Sequence, residues 1–204
     1  MRKLKFTLVA MVYSVFIGLT LATGALAQNN EIEIKLGRYT ITAPTPGWNS
    51  NGHAKEFSNK GETPRGVKFE IFELIPAGET FGNWSELWAV FVEHNLASDK
   101  DVYLRDVRRS YLAVCGEIAN AGPIISDGDG YIVLVIHCPF LIGNPKMGQM
   151  SVLYLQYTGS SWVRMYHEAR GPAYDPMDTS SWPLSREKVG EFIFGLPNVN
   201  IRSN

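Results

Sequence analysis

Two cysteines, Cys115 and Cys138, are all the thiol chemistry that the 204-residue chain possesses. No CxxC, HxxxH or HxH spacing accompanies them, so a metal centre lacks its usual ligand pattern and none is expected. Basic residues never gather into a polybasic run. The densest cluster, "RDVRR" with Arg105, Arg108 and Arg109, is short and interrupted by Asp106, which argues against nucleic acid as a partner. There is no GxSxG nucleophile elbow, and "DGDG" at 127–130 lacks the later ligands of a calcium loop. Repeats and low-complexity tracts are missing too, which excludes solenoids and disordered arrays. Apolar and aromatic side chains, by contrast, are abundant at 45% and 12% of residues, enough for a substantial core.

The first residues, "MRKLKFTLVAMVYSVFIGLTLATGALAQ", place Arg2, Lys3 and Lys5 before an apolar stretch that ends on small residues at Ala25 and Ala27. This is the pattern of a secretory signal peptide over 1–27, cleaved after Ala27. Thr20, Thr23 and Gly24 interrupt the apolar run, so no stable membrane span is expected after cleavage. No cysteine follows the cleavage point to accept a lipid. The leader carries three basic residues and no acidic one. Its removal leaves sixteen basic against twenty acidic residues, a net charge of −4 in place of −1. The expected mature chain, 28–204, is the size of one domain, exported to the periplasm or secreted.

Along that domain, "EIEIKLGRYTITAP" alternates Ile32, Ile34 and Leu36, then Tyr39 and Ile41 after Gly37, as two short strands or one strand with a bend would. A short strand is expected around 54–58, and "GVKFEIFELIP" reads as a strand closed by Pro76. In "FGNWSELWAVFVEHNLASD", Trp84, Leu87, Trp88, Phe91, Val92 and Leu96 recur at spacings of three and four. The spacing predicts a helix, with Asn83 and Glu86 as its capping box and His94 near its end. "VYLRDVRR" and "SYLAVCGEIA" are read as strands. The "SDGDG" turn and "YIVLVIHCPFLI" follow, then two strand runs around "TGSS", and a closing helix marked by Val189, Phe192, Ile193 and Leu196 with a serine cap. The expected fold is α+β: a mainly antiparallel sheet with helices packed on its faces.

This order of elements, with the "TAPTPGWNS" turn, the strand "GVKFEIFELIP" and the Trp-bearing "NWSELWAVFVEHN", resembles the PsbP-like α/β/α sandwich over most of residues 31–197. The resemblance implies a layered sandwich and an accessory or binding role. It carries no catalytic or ligand motif with it.

The two thiols, in an exported chain and joined through the "SDGDG" turn, are expected to form a disulfide between neighbouring strands. His137 sits beside Cys138, yet successive strand side chains point to opposite faces, so a Cys–His catalytic pair is not expected there. The other polar concentration is "MYHEARGPAYDPMDTSSWP" at 165–183, read as a long loop carrying His167, Glu168, Arg170, Tyr174 and Asp175. Alternation sends His167 and Glu168 to opposite sides, and Arg170 is expected to pair with Asp175 or Asp178. Trp162 and Trp182 flanking that loop would complete a mixed aromatic and charged binding surface. The reading of function is an envelope or extracellular binding or accessory protein, taking a protein partner or small ligand without cofactor or catalysis. The alternative is an envelope hydrolase using Glu168 and Asp175.

Overall fold

The computed structural model describes residues 31–49, 54–115 and 130–204, together with the backbone of 120–127. The expected signal peptide lies outside these residues, as do Gly128 and Asp129 of the "SDGDG" turn. Among the described residues there are ten strands and two α-helices. They are β1 (Glu31–Leu36), β2 (Tyr39–Pro44), β3 (Lys55–Glu62), β4 (Lys68–Ile75), β5 (Glu86–Glu93), α1 (Lys100–Cys115), β6 (Asn120–Asp127), β7 (Tyr131–Cys138), β8 (Met147–Tyr157), β9 (Trp162–Pro172), α2 (Arg186–Gly195) and β10 (Asn200–Ser203). Seven strands form one sheet in the order β3-β4-β5-β9-β8-β7-β6, and every neighbouring pair is antiparallel. A second, three-stranded sheet has the order β1-β2-β10.

Strict alternation along the large sheet divides the core in two. Trp88, Val90 and Val92 of β5, Val133 and Val135 of β7, and Val163 and Met165 of β9 face the small sheet and Phe192 of α2. Leu87 and Ala89, Ile132, Leu134 and Ile136, and Tyr166 face the opposite way, against Tyr103, Leu104 and Val107 of α1. The protein is thus predominantly β, with one helix on each face of an antiparallel sheet, and not a balanced α+β sandwich.

The hairpins stand where turn chemistry placed them. Gly37 has a φ of 56° between β1 and β2, and Gly159 a φ of 85° within "TGSS", conformations that glycine adopts without a Cβ clash. The closing helix is capped as expected, Ser185 accepting from the Lys188 amide.

Two elements are exchanged relative to the sequence reading. The expected helix at 81–99 contains strand β5, and the expected strands at 102–109 and 110–119 are helix α1 as far as Cys115, with 116–119 outside the described residues. Leu87–Val92 is an uninterrupted apolar run, and any such run contains spacings of three and four. Placed between β4 and β9 with both faces covered, it needs no polar side and therefore shows no period of two. Its Trp, Val and Phe residues also suit a pleated surface. In α1 the buried positions Tyr103, Leu104, Val107 and Cys115 fall on one helical stripe, while Arg105, Arg108 and Arg109 look outward. Asp99 opens this helix, its side chain accepting from the Asp101 amide at 2.8 Å. The supposed capping box dissolves accordingly. Asn83 closes a turn with Thr80, and Glu86 enters the core-side network described below.

The Cys115–Cys138 disulfide is present, with Cα atoms 5.1 Å apart, but it joins the end of α1 to the end of β7 and does not link two neighbouring strands. It fastens the helix to the sheet it covers.

Candidate functional site

Strand β9 carries most of the residues singled out from the sequence, and it is a central strand where a loop was expected. His167, Glu168 and Arg170 lie within it, paired to β5 on one side and β8 on the other. The connection to α2 begins only after Pro172.

On the α2 side, His167 approaches Glu86, Nε2 to Oε2 at 3.0 Å. A carboxylate only accepts, so His167 donates from Nε2. Trp48 donates to the same oxygen at 3.0 Å, and Lys188 of α2 donates to Oε1. Burial alone would raise the Glu86 carboxyl. The hydrogen bonds and charges of His167 and Lys188 outweigh it and hold the group down at about 2. Glu86 thereby ties together β5, β9, the turn at Trp48 and α2.

On the α1 side, Glu168 is buried and accepts from Tyr111 Oη at 2.5 Å, Ser151 Oγ at 2.9 Å and Gln149 Nε2 at 3.1 Å. Here burial prevails and pushes the carboxyl up, because the hydrogen-bond donors are neutral and Arg164 and Arg170 act only at longer range. Gln149 passes the network outward. Its Oε1 accepts from Arg170 Nε at 2.9 Å, and the Arg170 guanidinium lies 3.9 Å from the Trp84 ring centroid. The Arg170 guanidinium is therefore fixed by a stacking plane and by one hydrogen bond through Nε. Its two Nη groups make no hydrogen bond among the described residues. Arg170 lines a surface cleft of about 310 Å³ together with Glu79, Thr80, Asn83, Trp84, Ser85 and Met147, the Glu79 carboxylate being held by the Ser85 amide and hydroxyl.

The expected partners of Arg170 are elsewhere. Asp175 is exposed and accepts from the Met177 amide, and Asp178 accepts from Ser180, so both carboxylates organise their own turns. Tyr174 is buried on the α2 side, its hydroxyl donating to the Gln149 carbonyl at 3.0 Å and lying 3.3 Å from His137 Nδ1. It packs directly on Gly148, where a Cβ would stand 2.6 Å from the tyrosine ring. Glu168 and Tyr174 consequently occupy opposite faces of the sheet, and no contact joins either to the Asp175 carboxylate among the described residues.

Trp162 and Trp182 do not flank one surface. Trp162 begins β9 at the end remote from Arg170 and stacks on Tyr103 with ring centroids 4.1 Å apart. Trp182 packs on His137 at 4.9 Å, its Nε1 donating to the Pro176 carbonyl. His137 points away from Cys138, as alternation requires, into a pocket of Tyr174 and Trp182 where burial lowers its pKa.

The sequence reading missed Gln149, Ser151, Trp84, Tyr111 and Lys188. A signal existed for two of them: in "MGQMSVLYLQY", Gln149 and Ser151 alternate with Gly148, Met150 and Val152 at the start of an apolar strand that is buried from 148 to 155. Tyr111 and Trp84 were hidden by the exchanged helix and strand.

A larger open cleft, about 610 Å³, lies under the β1–β2 turn among Arg38, Lys60, Lys68, Phe69, Glu70 and His94. Glu70 is committed there to the turn, accepting from the Gly37 amide at 2.9 Å. No group of three His, Cys, Asp or Glu side chains suited to a metal ion occurs among the described residues. No helix among them is long and apolar enough to cross a membrane. No protein-family model matches the chain, and neither a curated protein nor a solved structure shows significant similarity to it.

Proposed function

We propose that this is an exported binding protein of the periplasm or extracellular space, which receives an anionic group of a ligand or protein partner at Arg170 and performs no catalysis. The observation that carries the reading is the guanidinium of Arg170, stacked on Trp84, oriented through Nε by Gln149, and bordering a cleft with both Nη groups unused. A fork held in this way offers two parallel donors to a carboxylate or phosphate with little ordering left to do. The leader-like first residues and the disulfide support export, since such bridges persist in oxidising compartments.

Titration of the protein with short peptides bearing a free C-terminal carboxylate, read by tryptophan fluorescence, tests this. Saturable binding is expected, at least about tenfold weaker for amidated peptides and for Arg170→Gln, as loss of a charge-assisted hydrogen-bond pair implies. Equal binding by Arg170→Gln would remove the assignment.

A further inference from the structure

Helix α1 presents a second feature, independent of the Arg170 cleft. Its inward stripe packs on the sheet, and its outward line runs Val102, Arg105, Arg109 and Leu112, all exposed, with Arg108 on the flank. Those residues recur at helical spacings along about 15 Å of axis. Arg105, Arg108 and Arg109 form no ion pair or hydrogen bond among the described residues. The neighbouring Asp106 is taken by Arg65 at 2.7 Å, and Asp101 is the one other acidic side chain of the helix. Three uncompensated guanidinium groups thus stand together on a chain whose formal charge is −1. Beside them lies an open hollow of about 590 Å³ walled by these three arginines, with Asp101 as its one acidic side chain and Leu104 and Leu112 as its apolar lining. Val114, in the last turn of α1, and Ile142 are also exposed, and the Ile142 amide donates to the Val114 carbonyl.

We infer that α1 docks the protein on an anionic phospholipid surface, the arginines taking headgroup phosphates while Val102 and Leu112 enter the boundary of the acyl region. Charge complementarity selects an anion. The apolar residues at both ends of a convex helix select a soft, laterally continuous surface over a discrete soluble anion, since a free phosphate offers nothing for them to cover. Arginine is suited to this role because its planar fork binds phosphate oxygens in pairs and is weakly hydrated.

The test is co-sedimentation of the chain recovered after export with vesicles containing phosphatidylglycerol and, separately, with vesicles of phosphatidylcholine alone. Binding to the anionic vesicles only is expected, weakening with salt and falling by roughly tenfold or more in Arg105→Gln/Arg109→Gln. Leu112→Ser is expected to weaken it several-fold while leaving the salt dependence unchanged. Unchanged circular dichroism and melting of these surface variants would show that the fold is intact, and the comparison of lipid compositions needs no variant at all. Equal binding to both vesicle types would overturn the inference. So would full competition by inorganic phosphate at constant ionic strength, which would assign a free-anion site, or capture by a polyglutamate peptide with no vesicle binding, which would assign an acidic protein partner.

Discussion

Glu86 and Glu168 stand on opposite faces of the same seven-stranded sheet, both shielded from water and both hydrogen-bonded to several partners, yet their carboxyls are driven in opposite directions. Glu86 meets donors that carry or can take positive charge, Lys188 and His167, and is stabilised as the anion. Glu168 meets a phenol, a hydroxyl and an amide, which satisfy its oxygens but do not offset the loss of hydration, so its pKa is raised. Burial alone would raise both carboxyls, and it gives the right sign only for Glu168. The charge of the partner decides. The two faces also differ in how their helices are held: α2 is clamped by the Lys188–Glu86 ion pair, α1 by a covalent bridge and by the Tyr111–Glu168 hydrogen bond.

The largest expected effect breaks that difference covalently. Replacing Cys115 and Cys138 by serine should cost about 3 kcal/mol, given a sequence separation of 23. Hydrogen exchange should accelerate in α1 well before α2; uniform acceleration would show that the bridge stabilises both faces alike.

Next in size are the two glutamates themselves. Glu86→Gln should lose about 2 kcal/mol in urea denaturation, since it leaves Lys188 and His167 without their anion. Glu168→Gln should change stability by less than about 1 kcal/mol, because burial works against the charged form and its hydrogen-bond donors carry no charge to be left unpaired. Equal losses would refute the contrast.

The smallest effect is in the pH profile. The folded pKa of Glu86, about 2, lies below its ordinary value near 4.5, so its contribution is complete above about pH 5 and is lost as pH falls toward 2. After allowance for solvent screening this is roughly 1–2 kcal/mol, and Glu86→Gln should flatten that limb of the curve by this amount. Glu168 has the opposite sign. Its raised pKa makes the ionised form a burden that acidification relieves, so Glu168→Gln should flatten the curve at higher pH and leave the acid limb intact. His137 adds to acid lability. Buried and neutral when folded, it takes up its proton in the unfolded chain first as pH falls below about 6.5. Melting midpoints across this range for the two variants would separate these contributions.

Of the candidate site, the facing of side chains was legible and the contacts were not. Alternation correctly set His167 against Glu168 and His137 against Cys138, because the period of a strand is a local property of its backbone. Nothing in "MYHEARGPAYDPMDTSSWP" could reveal that Arg170 would find Gln149 and Trp84 in place of Asp175, since those partners come from β8 and from the segment before β5. Trp162 and Trp182 looked similar in sequence but belong to opposite faces, separated by the whole sheet.

What the amino-acid order determined by itself was two turns and one cap: Gly37 at positive φ, Gly159 at positive φ in the β8–β9 hairpin, and Ser185 at the start of α2. These depend on backbone sterics and on hydrogen bonds spanning a few residues. The tertiary structure decided which of two neighbouring segments became helix and which became strand. An apolar run such as Leu87–Val92 shows no period until the sheet supplies a partner on each side. The stripe of α1 has meaning only once a face of that sheet exists for Tyr103, Leu104 and Val107 to cover.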